Sequence, residues 1–118
     1  HALAVLYHNQ GKDEEAEPLY KRALHIYEKV LPPDHPFTAE TLHALAVLYQ
    51  DQGKYEEAEP LYQRALYIRE KKLGLGHPST VITIESYANL LREMGREKEA
   101  AALEARARTS PKRSSQEM

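Results

Sequence analysis

From Phe37 to Gly53 the chain reads FTAETLHALAVLYQDQG, and Leu42, Leu45, Ala46 and Tyr49 fall three and four positions apart. That spacing gathers apolar side chains on one side of a helix. Gly53 ends the run, since glycine readily takes the left-handed conformation that closes a helix. From Tyr55 to about Lys72 the same rhythm returns in Ala58, Leu61, Tyr62, Ala65, Leu66 and Ile68. Glu56 and Glu57 open that segment, where the helix dipole favours carboxylates. A second helix is predicted, broken after Leu73 by GLGHPS with its two glycines and a proline. Two stretches run against the pattern. Pro18 and Pro60 lie just past the first turn of their helices, where a missing N–H predicts a tolerated kink. VITI at Val81 to Ile84 would read as a strand in isolation.

The pattern is written more than once. HALAVLY occupies His1 to Tyr7 and again His43 to Tyr49, and GKDEEAEPLYKRAL from Gly11 returns as GKYEEAEPLYQRAL from Gly53, a period of about 42 residues. A worn third copy begins at Ser86, with Ala88, Leu90, Gly95, Ala100, Leu103 and Ala107 on the beats of Ala46, Leu48, Gly53, Ala58, Leu61 and Ala65. The alignment sets VITI against Ala39 to Leu42, so helix is expected there too. Each copy is a helix-turn-helix hairpin that cannot hide its apolar stripe alone, and stacked hairpins bury it together. The expected fold is all-α, a solenoid of about three hairpins over residues 1–109, with repeats at about 1–36, 37–78 and 79–109. Ala4, Ala46 and Ala88 in the first helices, and Ala16, Ala58 and Ala100 in the second, mark where helices must approach closely. His1 aligns with the middle of a helix, so the first repeat is expected to be truncated and the chain to be a fragment clipped upstream. In the third copy Glu104 stands where Tyr62 stood, as suits a terminal helix with a wet outer side. The polar residues 110–118 are expected to form a disordered tail.

Composition narrows the function. The 118 residues carry a formal charge of −2 and no cysteine, which gives no general pull towards nucleic acid or anionic membrane and leaves no thiolate chemistry. No apolar run approaches the roughly 20 residues of a membrane span, and a cytoplasmic setting is expected. No Gly-rich phosphate loop or nucleophile arrangement is present, so no enzyme and no cofactor are expected.

The motif Leu-x-x-Leu-Ala-x-x-Tyr, then Gly-Lys-x-x-x-Ala and Leu-Tyr-x-x-Ala-Leu, resembles the tetratricopeptide repeat, and with long second helices and EAEPLYQRALYIREKKLGLGHPST it resembles the kinesin-light-chain-like subtype. The resemblance implies a right-handed superhelix whose concave side is lined by first helices and holds a peptide or helical segment of a partner protein. The positions it assigns to that side are His1, Ala2, Val5, His8 and Asn9; Glu40, His43, Ala44, Val47, Gln50 and Asp51; and Ile82, Glu85, Ser86, Asn89, Arg92 and Glu93. Kinesin light chains commonly carry paired asparagines where this chain has His43 and Ala44, an exchange that removes much of the capacity to hold an extended ligand's backbone. The related clamp for a C-terminal carboxylate needs convergent Lys, Asn and Arg, of which only Asn89 and Arg92 occur in the last copy.

Six histidines raise the question of a metal. His1 and His43 occupy equivalent places on adjacent first helices and His8 lies two turns from His1, so a two-His contact across the groove is conceivable, but zinc usually needs three or four ligands, and solvated groove histidines are the simpler reading; no metal is expected. His35 and His77 precede Pro36 and Pro78, and their expected role is loop hydrogen bonding at a helix start. Tyr20 and Tyr62 are read as packing between repeats rather than as a stacking platform, which would come with a basic groove. A scaffold for a protein or peptide ligand is the expected function, with His43, Gln50, Asn89 and Arg92 as hydrogen-bonding groups and Val47 and Ile82 as apolar contacts. The alternative is self-assembly, a homo-oligomer in which the exposed solenoid end docks on, or swaps with, another copy.

Overall fold

The computed structural model describes residues 2–9 and 11–108. Six helices follow one another: α1 (Ala2–Asn9), α2 (Asp13–Val30), α3 (Pro36–Asp51), α4 (Tyr55–Leu73), α5 (Pro78–Glu93) and α6 (Glu97–Arg108). Among the described residues there is no strand, and the fold is the all-α solenoid that the repeat predicts. VITI lies inside α5, where packing against neighbouring helices overrides the β preference of its branched side chains. The expected disordered tail, 110–118, lies outside the described residues.

Local chemistry sets the helix ends. His35 and His77 are N-caps whose Nδ1 accepts from the backbone N–H of Phe37 and Ser79, each at 3.1 Å. Pro36 and Pro78 follow as the first helical residues, where a missing N–H costs nothing. At the other end, α3 and α5 close alike. Lys54 and Arg96 donate their backbone N–H to the carbonyls of Tyr49 and Leu91, at 2.8 and 2.7 Å, while Gly53 and Gly95 donate to Gln50 and Arg92. This double bond requires a left-handed residue, and both glycines sit at φ +78°. Helices α2 and α4 run unbroken through Pro18 and Pro60.

The helices form two layers. In one, α3 meets α5 through His43 and Thr83, and through Gln50 and Glu93. In the other, α2 is tied to α4 by Glu28 and Arg64 at 2.7 Å, and α4 to α6 by Glu70 and Arg106. These two ion pairs are one pair repeated a period apart. The molecule measures 47 × 35 × 21 Å, its least dimension matching two helices at 8–10 Å spacing plus side chains. Its radius of gyration, 14.8 Å, exceeds the roughly 13 Å of a compact chain of about 100 residues, as stacking along one axis requires. All six alanines at the expected close approaches are fully buried, as are Tyr20 and Tyr62. An extra methylene at such an alanine would force side chains off their rotamers at about 1–3 kcal/mol.

Candidate functional site

Helix α3 is the most enclosed element. Thr38, Ala39, Thr41, Leu42, Leu45, Ala46, Leu48 and Tyr49 are all buried, wrapping most of its circumference. Beyond the exposed Pro36 and Phe37 of its first turn, what remains towards solvent is one stripe, Glu40, His43, Ala44, Val47, Gln50 and Asp51, at helical spacing. Helix α5 repeats it with Ile82, Glu85, Ser86, Asn89, Arg92 and Glu93, none of them buried. These are the positions expected to receive a ligand. Val5 is half-buried on α1. His8 and Asn9 belong to the same helix, but their side chains, with that of Ala2 and the whole of His1, lie outside the described residues.

His43 departs from the solvated groove histidine that the sequence suggests. Its ring lies edge-on to Tyr62, centroids 5.6 Å apart, and its Nδ1 is 3.1 Å from the Thr83 hydroxyl of the next repeat. Arg69 of α4 donates through Nη1 to the same hydroxyl at 2.7 Å and to the Ser79 carbonyl at 3.2 Å. Burial first, and the Arg69 charge second, bring the imidazole pKa down to about 4, so at neutral pH His43 is an uncharged wedge between repeats. Burial also lowers Arg69, while Glu40 opposes that shift. Sequence reading missed this group. Arg69 and Thr83 lie a period away from Tyr27 and Thr41, and only the change from Tyr27 to Arg69 hints that the second junction is built differently.

At the far end of the stripe, Gln50 is held from both sides. Its Oε1 accepts from the hydroxyl of the buried Tyr62 at 2.7 Å and its Nε2 donates to Glu93 Oε1 at 2.8 Å. The phenol is raised by burial, then by the nearby charges of Asp51 and Glu93, so two carboxylates converge on this end. Arg92 is drawn away from the stripe: it makes a two-pronged bond to Glu104 and a third to Glu97. Those partners hold it in its charged form. Asn89 is exposed, and Arg92, the cation expected to join it in gripping a terminal carboxylate, is engaged elsewhere. Among the described residues, no three His, Asp or Glu side chains are grouped to hold a metal ion.

A family model described as tetratricopeptide repeat matches residues 1–71 and again 44–112. The chain belongs to the tetratricopeptide repeat family. Solved tetratricopeptide structures align over most of it. A kinesin-light-chain candidate of Podosopora anserina with nearly identical TPR-like repeats is 31% identical, with a TM-score of 0.80 over 91% of this chain and 51% of that one. BtubC (BKLC) from P. vanneervenii, 24% identical, superposes with a TM-score of 0.83 over 89% of this chain and 41% of that one; at that identity it shows the fold alone. The chain spans about half the length, or less, of these proteins. No curated protein matches it. The tetratricopeptide fold serves protein–protein interaction in general and is typically not enzymatic. Among the described residues no helix is long and apolar enough to cross a membrane.

Proposed function

We propose that this tetratricopeptide segment is an interaction scaffold that takes a peptide or helical segment of a partner protein on its first-helix face. The observation that carries the reading is the pair of equivalent stripes on α3 and α5. Beyond their first turns, where Pro36, Phe37, Pro78, Ser79 and Val81 are exposed or partly so, both helices bury their other sides and leave one band of polar and small apolar groups towards solvent. Three features suit that band to binding. Gln50 and His43 are fixed by bonds made before any ligand arrives, and such preorganisation lowers the ordering cost of association. Ile82, about half exposed, offers an apolar seat. Ser86 and Asn89 offer hydrogen bonds that remain available beside it. The proposed setting is cytoplasmic, with which a chain free of cysteine is compatible. The test is to select peptides from a displayed library and map them by amide chemical-shift changes. Shifts clustered on the stripes of α3 and α5 support the reading, and shifts confined to α2, α4 and α6, or none, reject it.

A second reading, self-assembly, has its own observation. Leu3 and Leu6 of α1 are about half exposed, whereas Leu45 and Leu48, a period away, are buried, as are Tyr87 and Leu90 after them. Among the described residues nothing covers on α1 the face that is buried on α3, and a second copy could cover it. Light scattering across a tenfold concentration range decides: a mass that rises supports self-association, and a constant single-chain mass removes it.

A further inference from the structure

The first-helix face is not electrically neutral, and its charge says what kind of segment it fits. Of the five charged residues on the two stripes, Glu40 and Asp51 on α3 and Glu85 and Glu93 on α5 are acidic and Arg92 is basic, and Glu40 also lies in the field of Arg69. That is an excess of three negative charges on one face of a chain whose total is −2. The single cation is further discounted, because Arg92 is engaged by Glu104 and Glu97. Arg69 is half-buried at the seam, where it donates to Ser79 and Thr83. Two geometric features sharpen the field. Helices α3 and α5 end side by side at Asp51 and Glu93, so the negative ends of both helix dipoles add to the carboxylates. There the Glu93 carboxylate is held by Gln50, itself held by the buried Tyr62 hydroxyl, so this charge is placed rather than loose.

We infer that the occupant of this face is a basic segment of a partner protein, with lysine or arginine side chains lying against Glu85 and Glu93 and an aliphatic side chain seated on Ile82. The inference rests on the scaffold reading and narrows it. An acidic segment would meet like charge at Glu85 and Glu93, and among the described residues the one cation of the stripes, Arg92, is already engaged by Glu97 and Glu104. Charge complementarity of this kind mainly sets partner choice and association rate.

The test uses the whole chain and a matched pair of short labelled peptides, one carrying lysines around a central leucine and the other the same sequence with glutamate at each lysine, compared by fluorescence anisotropy. The lysine peptide should bind at least about tenfold more tightly, and its affinity should fall as salt is raised. Glu85→Gln with Glu93→Gln, shown by circular dichroism to remain folded, should remove most of that preference. Equal or tighter binding of the glutamate peptide, or a preference that survives the double substitution, overturns the inference. If library-selected peptides map to the stripes of α3 and α5 while the lysine peptide does not bind there, the inference fails and the scaffold reading stands. If no peptide of any charge maps to the stripes, both fail.

Discussion

The junctions between hairpins, α2 against α3 and α4 against α5, are assembled from equivalent positions yet are locked differently. Each has the same socket, a glutamate one turn before the buried tyrosine: Glu17 before Tyr20 and Glu59 before Tyr62. In the first junction the socket accepts from the Tyr49 hydroxyl at 3.1 Å and pairs with Lys21 at 2.8 Å. In the second it accepts from Tyr87 at 2.7 Å and pairs with Arg96 at 2.9 Å. But Tyr87 is the equivalent of Leu45, and Leu91 the equivalent of Tyr49. The leucine and the tyrosine have changed places along the helix, and the phenol reaches the same acid from the neighbouring turn. The consequence is a ring stack in the second junction, Tyr62 on Tyr87 with centroids 6.0 Å apart, and none between Tyr20 and Leu45. Further along, Arg69, Thr83 and His43 make a polar knot in the second junction. In the first, Tyr27 and Phe37 lean together at 5.9 Å beside a shallow cavity of about 120 Å³. What the repeat conserves is the socket, not the residue that fills it.

The largest expected effect comes from removing the ring that the second junction is built around. Tyr62 is fully buried and contacts His43, Gln50 and Tyr87. Tyr62→Ala should cost about 3–5 kcal/mol. Because a solenoid is held by nearest-neighbour interfaces, the loss should uncouple α5 and α6 from the rest. Urea unfolding followed by hydrogen exchange on α3 and on α5 should then show two transitions in place of one.

Acid should open the second junction before the first. His43 is neutral in the fold, with a pKa of about 4 against 6.5 for the free side chain. Between those values the unfolded chain binds the extra proton, so stability is full above about pH 6.5 and declines as pH falls towards 4, by on the order of 2–3 kcal/mol. Glu17 and Glu59 act lower. Lys21 first, and Arg96 first, hold their pKa values below 4.5, so their contributions persist above 4.5 and disappear as pH drops through the folded values. His43→Gln should flatten the urea midpoint between pH 6.5 and 4.5 and leave the acid limb in place.

How much of this was legible in the sequence follows from what a repeat encodes. The 42-residue period placed the helices, the alanines at close approaches and the His-Pro starts, because these are requirements on single positions that recur in each copy. VITI shows the strength of that signal, since alignment to Ala39–Leu42 outweighed β-branched propensity. The stripe positions of α3 and α5 came from the family resemblance, and the structure leaves them unburied. The bonds they make were not legible. That His43 is wedged under Thr83, that Gln50 is tied to Glu93, and that Arg92 turns away to Glu104 all depend on which side chain of the next hairpin arrives. A pairwise property of that kind has no signature in one copy's pattern. The Tyr–Leu exchange was hidden by the alignment itself, which scores Leu45 against Tyr87 as a mismatch when the two changes compensate.

Removing only the phenol oxygens should cost less. Tyr87→Phe keeps the stack on Tyr62 but deprives Glu59 and Gln63 of a partner. About 1 kcal/mol is expected, and Arg96 still satisfies the acid. Tyr49→Phe should cost about the same or less, since its bond to Glu17 is the longer of the two and Lys21 remains.

The smallest net effect should come from the most drastic rewriting, exchanging Leu45 and Tyr49 so that the first junction copies the second. Leu45→Tyr alone puts two phenols at the Glu17 socket and overfills a position that is 3% exposed, at about 1–3 kcal/mol. Tyr49→Leu alone leaves Glu17 without its phenol and removes the ring over which Lys21 and Lys54 lie. Together they should recover most of that loss. A tyrosine at 45 stands over Tyr20 as Tyr87 stands over Tyr62, and its hydroxyl falls to Glu17 as that of Tyr87 does to Glu59. A double-mutant cycle reads the compensation directly as an interaction energy opposite in sign to the two single losses. Additive losses would mean that the phenol's turn is fixed by the rest of each hairpin, by Lys21 in one and Gln63 in the other. In that case the socket would be a coincidence of two separately built junctions rather than the unit that the repeat preserves.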